Sequence, residues 1–143
     1  MPEPFRRRDA YRDFRHIPTR WMDNDAYGHV NNTVHYSLFD TTVNAWLVEA
    51  GLLDILRGDR IGLVVETGCR YARPISFPEV VEAGLRVGSL GRSSVRYEVG
   101  LFTGAAPDAA AEGFFVHVYV DRASRRPVAL PSNWRTALER IAA

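Results

Sequence analysis

The chain holds one cysteine, Cys69, which excludes an internal disulfide framework and gives no thiolate cluster for a metal. No apolar run is long enough to cross a bilayer. The charges between Glu3 and Arg8 are not followed by the apolar stretch of a secretory leader, so a cytoplasmic location is the expectation. Charge of one sign is lacking too. Eighteen basic residues face seventeen acidic ones for a net charge of +1, which gives no general reason to bind nucleic acid or an anionic membrane. There is no glycine-rich phosphate loop and no internal repeat. His16, His35 and His117 are too scattered to argue a metal site, and no cofactor is called for. The 46% apolar and 24% charged residues of this 143-residue chain fit one globular domain with a real core.

Organisation can be followed from the N-terminus. Residues Met1 to Arg12 are polar and are expected to be partly disordered. Phe14 to Trp21 reads as a strand, and Asp23 to Asn32 as a loop in which Gly28 supplies backbone freedom. Asn32 or Thr33 is placed to cap a helix running from about Thr33 to Ala50. Tyr36, Phe39, Val43, Trp46 and Ala50 form its apolar stripe, widened by Leu38, Leu47 and Val48, and Gly51 is the stop signal. The period then changes. Leu63 to Glu66 begins an apolar run towards Arg73, and Val80 to Val87 is a strand. Val95, Tyr97, Val99 and Leu101 alternate with Arg96, Glu98 and Gly100. A last strand, Phe114 to Val120, places Phe114, Val116, Val118 and Val120 on one face, with turns at Gly88 to Ser94 and Thr103 to Ala111. Ser132 to Ile141 reads as a short helix capped by Ser132. One helix after an opening strand, then further strands, predicts an α+β domain.

The densest chemistry lies between Arg20 and Asn32. Two carboxylates, Asp23 and Asp25, an imidazole, His29, a glycine, Gly28, and side-chain amides precede the helix directly. The first N–H groups of a helix have no intrahelical partner and sit at its positive end, where they can stabilise a developing oxyanion beside a working carboxylate.

The order Asp-x-Asp-x-x-Gly-His-Val-Asn-Asn-x-x-x-Tyr, from Asp23 to Tyr36, resembles the signature of the hotdog-fold acyl-CoA thioesterases, in particular the 4-hydroxybenzoyl-CoA thioesterase-like family. Tyr71-Ala72-Arg73-Pro74-Ile75 is similar to that family's turn into its second strand, and Arg126 to Pro131 to its exit from the last strand. The resemblance spans nearly the whole chain, residues 1–143 as a single domain. It implies an antiparallel sheet wrapped around a long central helix, hydrolysis of an acyl-CoA to free acid and CoA, and a homodimer or homotetramer with sites at subunit interfaces.

It also implies roles. Asp25 matches the carboxylate that serves as nucleophile or general base, and Asn32 the position whose backbone N–H polarises the carbonyl. His29 resembles a histidine of the plant acyl-carrier thioesterases, although the asparagine found two residues before it there is Tyr27 here. Gly28 would let the chain approach the acyl group, and Tyr36 sits one turn into the helix. Asp23 supports the loop, and Asp40 is placed as a buried anchor. Among the arginines that suit CoA phosphates, Arg73 and Arg92 are favoured over the Arg122 to Arg126 turn, with Ser93 and Ser94 along the pantetheine path. Phe39, Val43, Val65 and Phe77 are candidates to line the acyl tunnel. Two other readings stand beside this one: a hotdog-fold hydratase or dehydratase, and a non-catalytic acyl-CoA-binding oligomer.

Overall fold

The computed structural model describes residues 3–143. In chain order the elements are β1 (Asp13–Pro18), α1 (Asn32–Glu49), β2 (Arg60–Tyr71), β3 (Val80–Leu90), β4 (Ser94–Phe102), β5 (Ala111–Asp121) and α2 (Ser132–Glu139). All pairings are antiparallel, in the sheet order β1-β3-β4-β5-β2. The sheet curls over α1, which packs on β3, β4 and β5 and leaves β2 almost uncovered. Among the described residues no helix is long and apolar enough to cross a membrane.

The ends of α1 follow from local chemistry. Asn31, not Asn32 or Thr33, is the N-cap, and its side chain accepts from Thr33 N at 3.0 Å. At the other end Gly51 adopts φ 73°, a left-handed conformation that glycine takes without strain. Gly51 N then donates to Val48 O at 3.0 Å and Leu52 N to Leu47 O at 3.0 Å, so the two bonds together make a Schellman stop. The buried stripe is His35, Leu38, Phe39, Thr42, Val43, Trp46 and Leu47. Ala50 and Val48, counted as apolar by spacing, are exposed.

Phe39, Val43 and Leu47 meet Val81, Ala83 and Leu85 of β3, Val95, Tyr97, Val99 and Leu101 of β4 and Phe115 of β5 in one continuous core. Each fully buried side chain of this size contributes roughly 1.5–3 kcal/mol. Phe39 and Val43 are 0% exposed, so they belong to the core and not to a tunnel wall. Gly113 makes room for Phe39: a Cβ there would stand 2.3 Å from its ring.

Several boundaries and faces differ from expectation. β1 ends at Pro18, and Trp21–Asp23 form a 3-10 turn. On β5 the inward residues are Phe115, His117 and Tyr119, whereas Phe114, Val116 and Val118 lie half-buried on the outer face. Both faces of this strand are apolar enough for period two to be ambiguous. Its register with β4 decides, because Val95↔His117 and Tyr97↔Phe115 tie the two strands to one face. Tyr71 to Ile75 closes β2 instead of leading into it, since the strand already runs from Arg60. Pro131, not Ser132, caps α2, which buries Trp134, Ala137 and Leu138.

The lead-in is held from Arg6 onward. Arg6 N donates to Glu112 Oε2 at 3.0 Å, and Tyr11, 4% exposed, packs edge-on against Phe102. Met1 and Pro2 lie outside the described residues. The outer face of the sheet carries an ion-pair cluster in which Arg6, Arg86 and Arg96 surround Glu98 and Arg70 meets Glu112. Burial opposes the charge on Glu98, but hydrogen bonds from Arg96 and Arg86 outweigh it and hold its carboxyl below the ordinary range.

Candidate active site

The Arg20 to Asn32 segment is a hydrogen-bonded scaffold. Asp23 is 3% exposed and accepts from Arg20 N at 2.7 Å, Arg20 Nη2 at 2.8 Å and Arg20 Nε at 3.1 Å. Burial alone would raise its pKa, but these bonds overcome that and lower it, so Asp23 stays ionised. Its backbone oxygen accepts from Asn31 N at 2.9 Å, which ties the start of the loop to the cap of α1. All of its visible capacity is committed to structure, as expected for a loop support.

Asp25 is arranged differently. Asp25 N donates to His29 O at 2.7 Å and Gly28 N to Asp25 O at 3.1 Å, which closes a tight turn with Gly28 at φ 78°. Asp25 Oδ1 accepts from Tyr27 N at 2.8 Å and His29 N at 3.4 Å. No described group bonds to Oδ2. One oxygen therefore anchors the carboxylate, and the other is available to a reactant. Val30 N donates to Ile75 O at 2.6 Å, and Asn24 Oδ1 accepts from Phe77 N at 3.0 Å, so the turn is pinned to the segment after β2.

Asp25, His29, Val30, Asn32, His35, Tyr71, Ala72, Arg73 and Pro74 line one open pocket of about 350 Å³. Among the described residues nothing accepts from Asn32 N–H, the first free amide of α1. Arg73 faces the pocket while its Nη2 donates to Asp108 O at 2.8 Å. Gly28 forms the turn beside it. Tyr36 is half-buried with its ring edge-on to Phe39 at 5.9 Å, one turn further along α1.

Other expected residues are elsewhere. Arg92, Ser93 and Ser94 sit at the opposite end of the sheet, where Ser94 pairs with Val118 and Arg92 O accepts from Leu130 N. Asp40 is exposed and its side chain accepts from Asn44 Nδ2 at 3.0 Å, so it is no buried anchor within the chain. Phe77 lies outside the strands and packs on Trp21. Cys69 is half-buried on β2, and burial pushes its thiol up, away from the nucleophilic form.

His35 is a site residue that the spacing did not single out. It is 4% exposed, Nδ1 lies 3.0 Å from Asn31 O, and the ring stands edge-on to Tyr71 at 4.9 Å. Burial lowers its pKa. With Nδ1–H donating to Asn31 O, the ring is neutral and steadies the carbonyl of the capping residue. Its place in the first turn of α1, directly after the motif, was the available signal. Among the described residues no three His, Cys, Asp or Glu are grouped to hold a metal ion.

Comparison with known proteins bears on this geometry. A family model described as the thioesterase-like superfamily matches residues 19–138. The chain belongs to the thioesterase-like superfamily. Its antiparallel sheet around α1 is the hotdog fold of related structures. The PA5185 protein of Pseudomonas aeruginosa strain PAO1 is 51% identical, with a TM-score of 0.92 over 99% of this chain and 98% of that one. The PA2801 protein of Pseudomonas aeruginosa is 33% identical, with a TM-score of 0.82 over 89% of this chain and 98% of that one. A thioesterase of Thermus thermophilus, solved with coenzyme A and Zn, is 28% identical, with a TM-score of 0.77 over 92% and 95% of the two chains. A search of curated proteins returned no match. The family model takes in the Asp23 to Asn32 scaffold, α1 and all the strands after it.

Proposed function

We propose that this thioesterase-like protein hydrolyses an acyl-CoA to a free acid and CoA, with Asp25 as its catalytic carboxylate. One observation carries the proposal: the free Oδ2 edge of Asp25 and the unpartnered Asn32 N–H share a single pocket. A thioester carbon is electrophilic and its sulfur leaves as a thiolate. Asp25 takes a proton from water, the resulting hydroxide attacks the carbonyl carbon, and the oxyanion accepts a hydrogen bond from Asn32 N–H at the positive end of α1. Collapse breaks the C–S bond, and the thiolate recovers the proton held by Asp25. His29, exposed on the same turn, is the second group able to pass that proton. Direct attack by Asp25 through an anhydride uses the same oxygen. Single-turnover hydrolysis in H₂¹⁸O bears on the two routes, because label in the protein arises only from an anhydride opened at the aspartyl carbon.

The proposed unit is a homodimer built on β2. From Gly62 to Thr67 this edge strand is exposed, with Leu63 at 38%, Val64 at 50% and Val65 at 60%. A long apolar edge is a pairing surface. Two identical edges related by a twofold axis must pair antiparallel. The Tyr71 end of β2 in one copy then meets the Arg60 end in the other. Arg60 pairs with Asp121, and β5 in turn pairs with the start of β4 at Ser94. The Gly91 to Ser94 turn of one copy is thereby carried towards the Asp25 pocket of its partner. This supports Arg92, Ser93 and Ser94 as CoA contacts despite their distance within one chain.

The test is a panel of aryl, short-chain and medium-chain acyl-CoAs with a thiol-trapping readout. Thiol release that disappears in Asp25→Asn is the expected result. Binding without release from any member would overturn the catalytic assignment and favour a non-catalytic acyl-CoA binder.

A further inference from the structure

Two apolar side chains, Ile55 and Leu56, stand in solvent on the loop between α1 and β2, 67% and 86% exposed. The loop is not loose. Asp54 Oδ1 accepts from Leu56 N at 3.1 Å and from Arg57 N at 3.0 Å, Gly58 N donates to Asp54 O at 2.9 Å, and Arg122 Nη2 donates to Ile55 O at 2.8 Å. Leu52 and Leu53, just before it, already pack on the core. The turn therefore holds Ile55 and Leu56 away from the body of the chain. Folding of a single chain gains nothing from them, because an apolar side chain stabilises only where it leaves water.

The Asp25 pocket has the complementary deficit. Its lining comes from two segments, Asp25 to His35 and Tyr71 to Pro74, and the apolar part is Val30, Tyr71, Ala72 and Pro74. β2 is the last strand of the sheet, so no further strand of the same chain flanks the pocket there, and Tyr71 is left 47% exposed.

Twofold pairing of β2 edges brings loop and pocket together. The edge is exposed from Gly62 to Thr67, so the dyad falls at its middle, with Val64 or Val65 opposite its own copy. Tyr71 then lies opposite the partner's Arg57 or the partner's Asp59. The partner's Leu56 and the partner's Ile55 come one to four residues further on, at most roughly 13 Å of extended chain. A dyad perpendicular to the sheet keeps both copies of α1 on one face. The loop leaves α1 on that face, and His35 of α1 meets Tyr71 there with ring centroids 4.9 Å apart, so loop and pocket share it.

We infer that the partner's Ile55 and the partner's Leu56 close the Asp25 pocket and form the apolar wall against which the acyl group packs. The inference rests on the thioesterase reading and the β2-edge dimer proposed above, and adds the substrate class. The acyl group is a hydrocarbon of several carbons with an apolar end. A charged or hydroxylated end would lose its water against leucine without gaining a partner.

The first test needs no turnover. In a Cys69→Ala background, Leu56→Cys combined with Ala72→Cys should give a covalent dimer with a short bismaleimide, and neither single cysteine should. Within one chain the two positions lie at opposite ends of the 12-residue β2, so that link forms only between copies. No covalent dimer from the double variant, or a monomer in sedimentation, would overturn the inference. The second test uses octanoyl-CoA and acetyl-CoA. Leu56→Ser, at an exposed position, should lower kcat/KM for octanoyl-CoA about tenfold and for acetyl-CoA less than about twofold. An unchanged ratio would overturn the acyl contact. Mixed dimers of Asp25→Asn and Leu56→Ser copies then give the decisive readout. A wall supplied by the partner leaves one intact site, hence about half of wild-type octanoyl-CoA turnover. A wall supplied by the same chain gives no more than the mean of the two parent dimers, which would refute the proposal. If no acyl-CoA releases thiol, the thioesterase reading falls by itself, and the cross-link still decides whether the partner's loop closes the pocket.

Discussion

Asp25→Asn and Asp23→Asn, made side by side, separate chemistry from scaffolding. In Asp25→Asn the amide oxygen can still accept from Tyr27 N and His29 N, so the turn survives. What is lost is the charge and basicity at Oδ2. Removing a positioned acid–base group lowers kcat by about a hundredfold or more, about 2.7 kcal/mol of barrier, with little change in melting temperature. Asp23→Asn inverts the pattern. Its ion pair with Arg20 is worth at most about 1 kcal/mol, because the Arg20 side chain is 64% exposed. The buried site, however, offers three donors to a carboxylate, and an amide must turn its own N–H towards one of them. That mismatch adds about 1–2 kcal/mol, so Tm should fall by about 5–10 °C while kcat stays within about tenfold. The assay is thiol release with the best member of the acyl-CoA panel, beside calorimetric melting of each variant. Near-normal kcat in Asp25→Asn across the panel would refute the catalytic assignment. A larger loss of kcat in Asp23→Asn than in Asp25→Asn would show that the two roles are exchanged.

The remaining predictions concern assembly, CoA and pH. Val64→Lys, a charge on the exposed edge of β2, should shift the protein to monomer in sedimentation velocity and remove turnover with it; an active monomer would overturn the shared-site model. Arg92→Ala should raise KM for acyl-CoA about five- to tenfold with kcat nearly unchanged, and should leave a truncated thioester lacking the nucleotide unaffected; equal damage with both substrates would assign Arg92 to the fold instead. His35 has a folded-state pKa lowered by burial from its ordinary 6.5, so the unfolded chain binds the proton first as pH falls. Stability should therefore drop as pH falls through 6.5 towards the lowered value. His35→Asn should flatten that part of the denaturation profile, and an unchanged slope would show that the ring is not the titrating group.

Much of the fold was legible because its signals are local. The start of α1 was placed to within a residue or two, at Asn32 or Thr33 against the actual cap Asn31, and Gly51 marks its end, through hydrogen bonds spanning a few residues, while Val95 to Leu101 alternates cleanly between two faces. The Asp23 to Asn32 motif was legible as chemistry for the same reason: its turn closes on its own backbone. The two aspartates were ranked by the match of the motif to the family's, and the folded chain shows how their surroundings differ. Asp23 spends its oxygens on Arg20, whereas Asp25 keeps one free.

What sequence alone determined is therefore the set of elements, the α+β class, the family resemblance and the segment proposed to carry the chemistry. These depend on interactions within a turn of helix or a few strand residues. Only tertiary structure decided which face of β5 turns inward, since both of its faces are apolar and register with β4 breaks the tie. It also brought Tyr71 and Arg73 to Asp25 from the far end of β2, beyond the whole of α1, left β2 almost uncovered by α1, and placed Arg92 to Ser94 at the far end of the sheet. Such contacts depend on where separate strands come to rest against one another, and no local spacing records that.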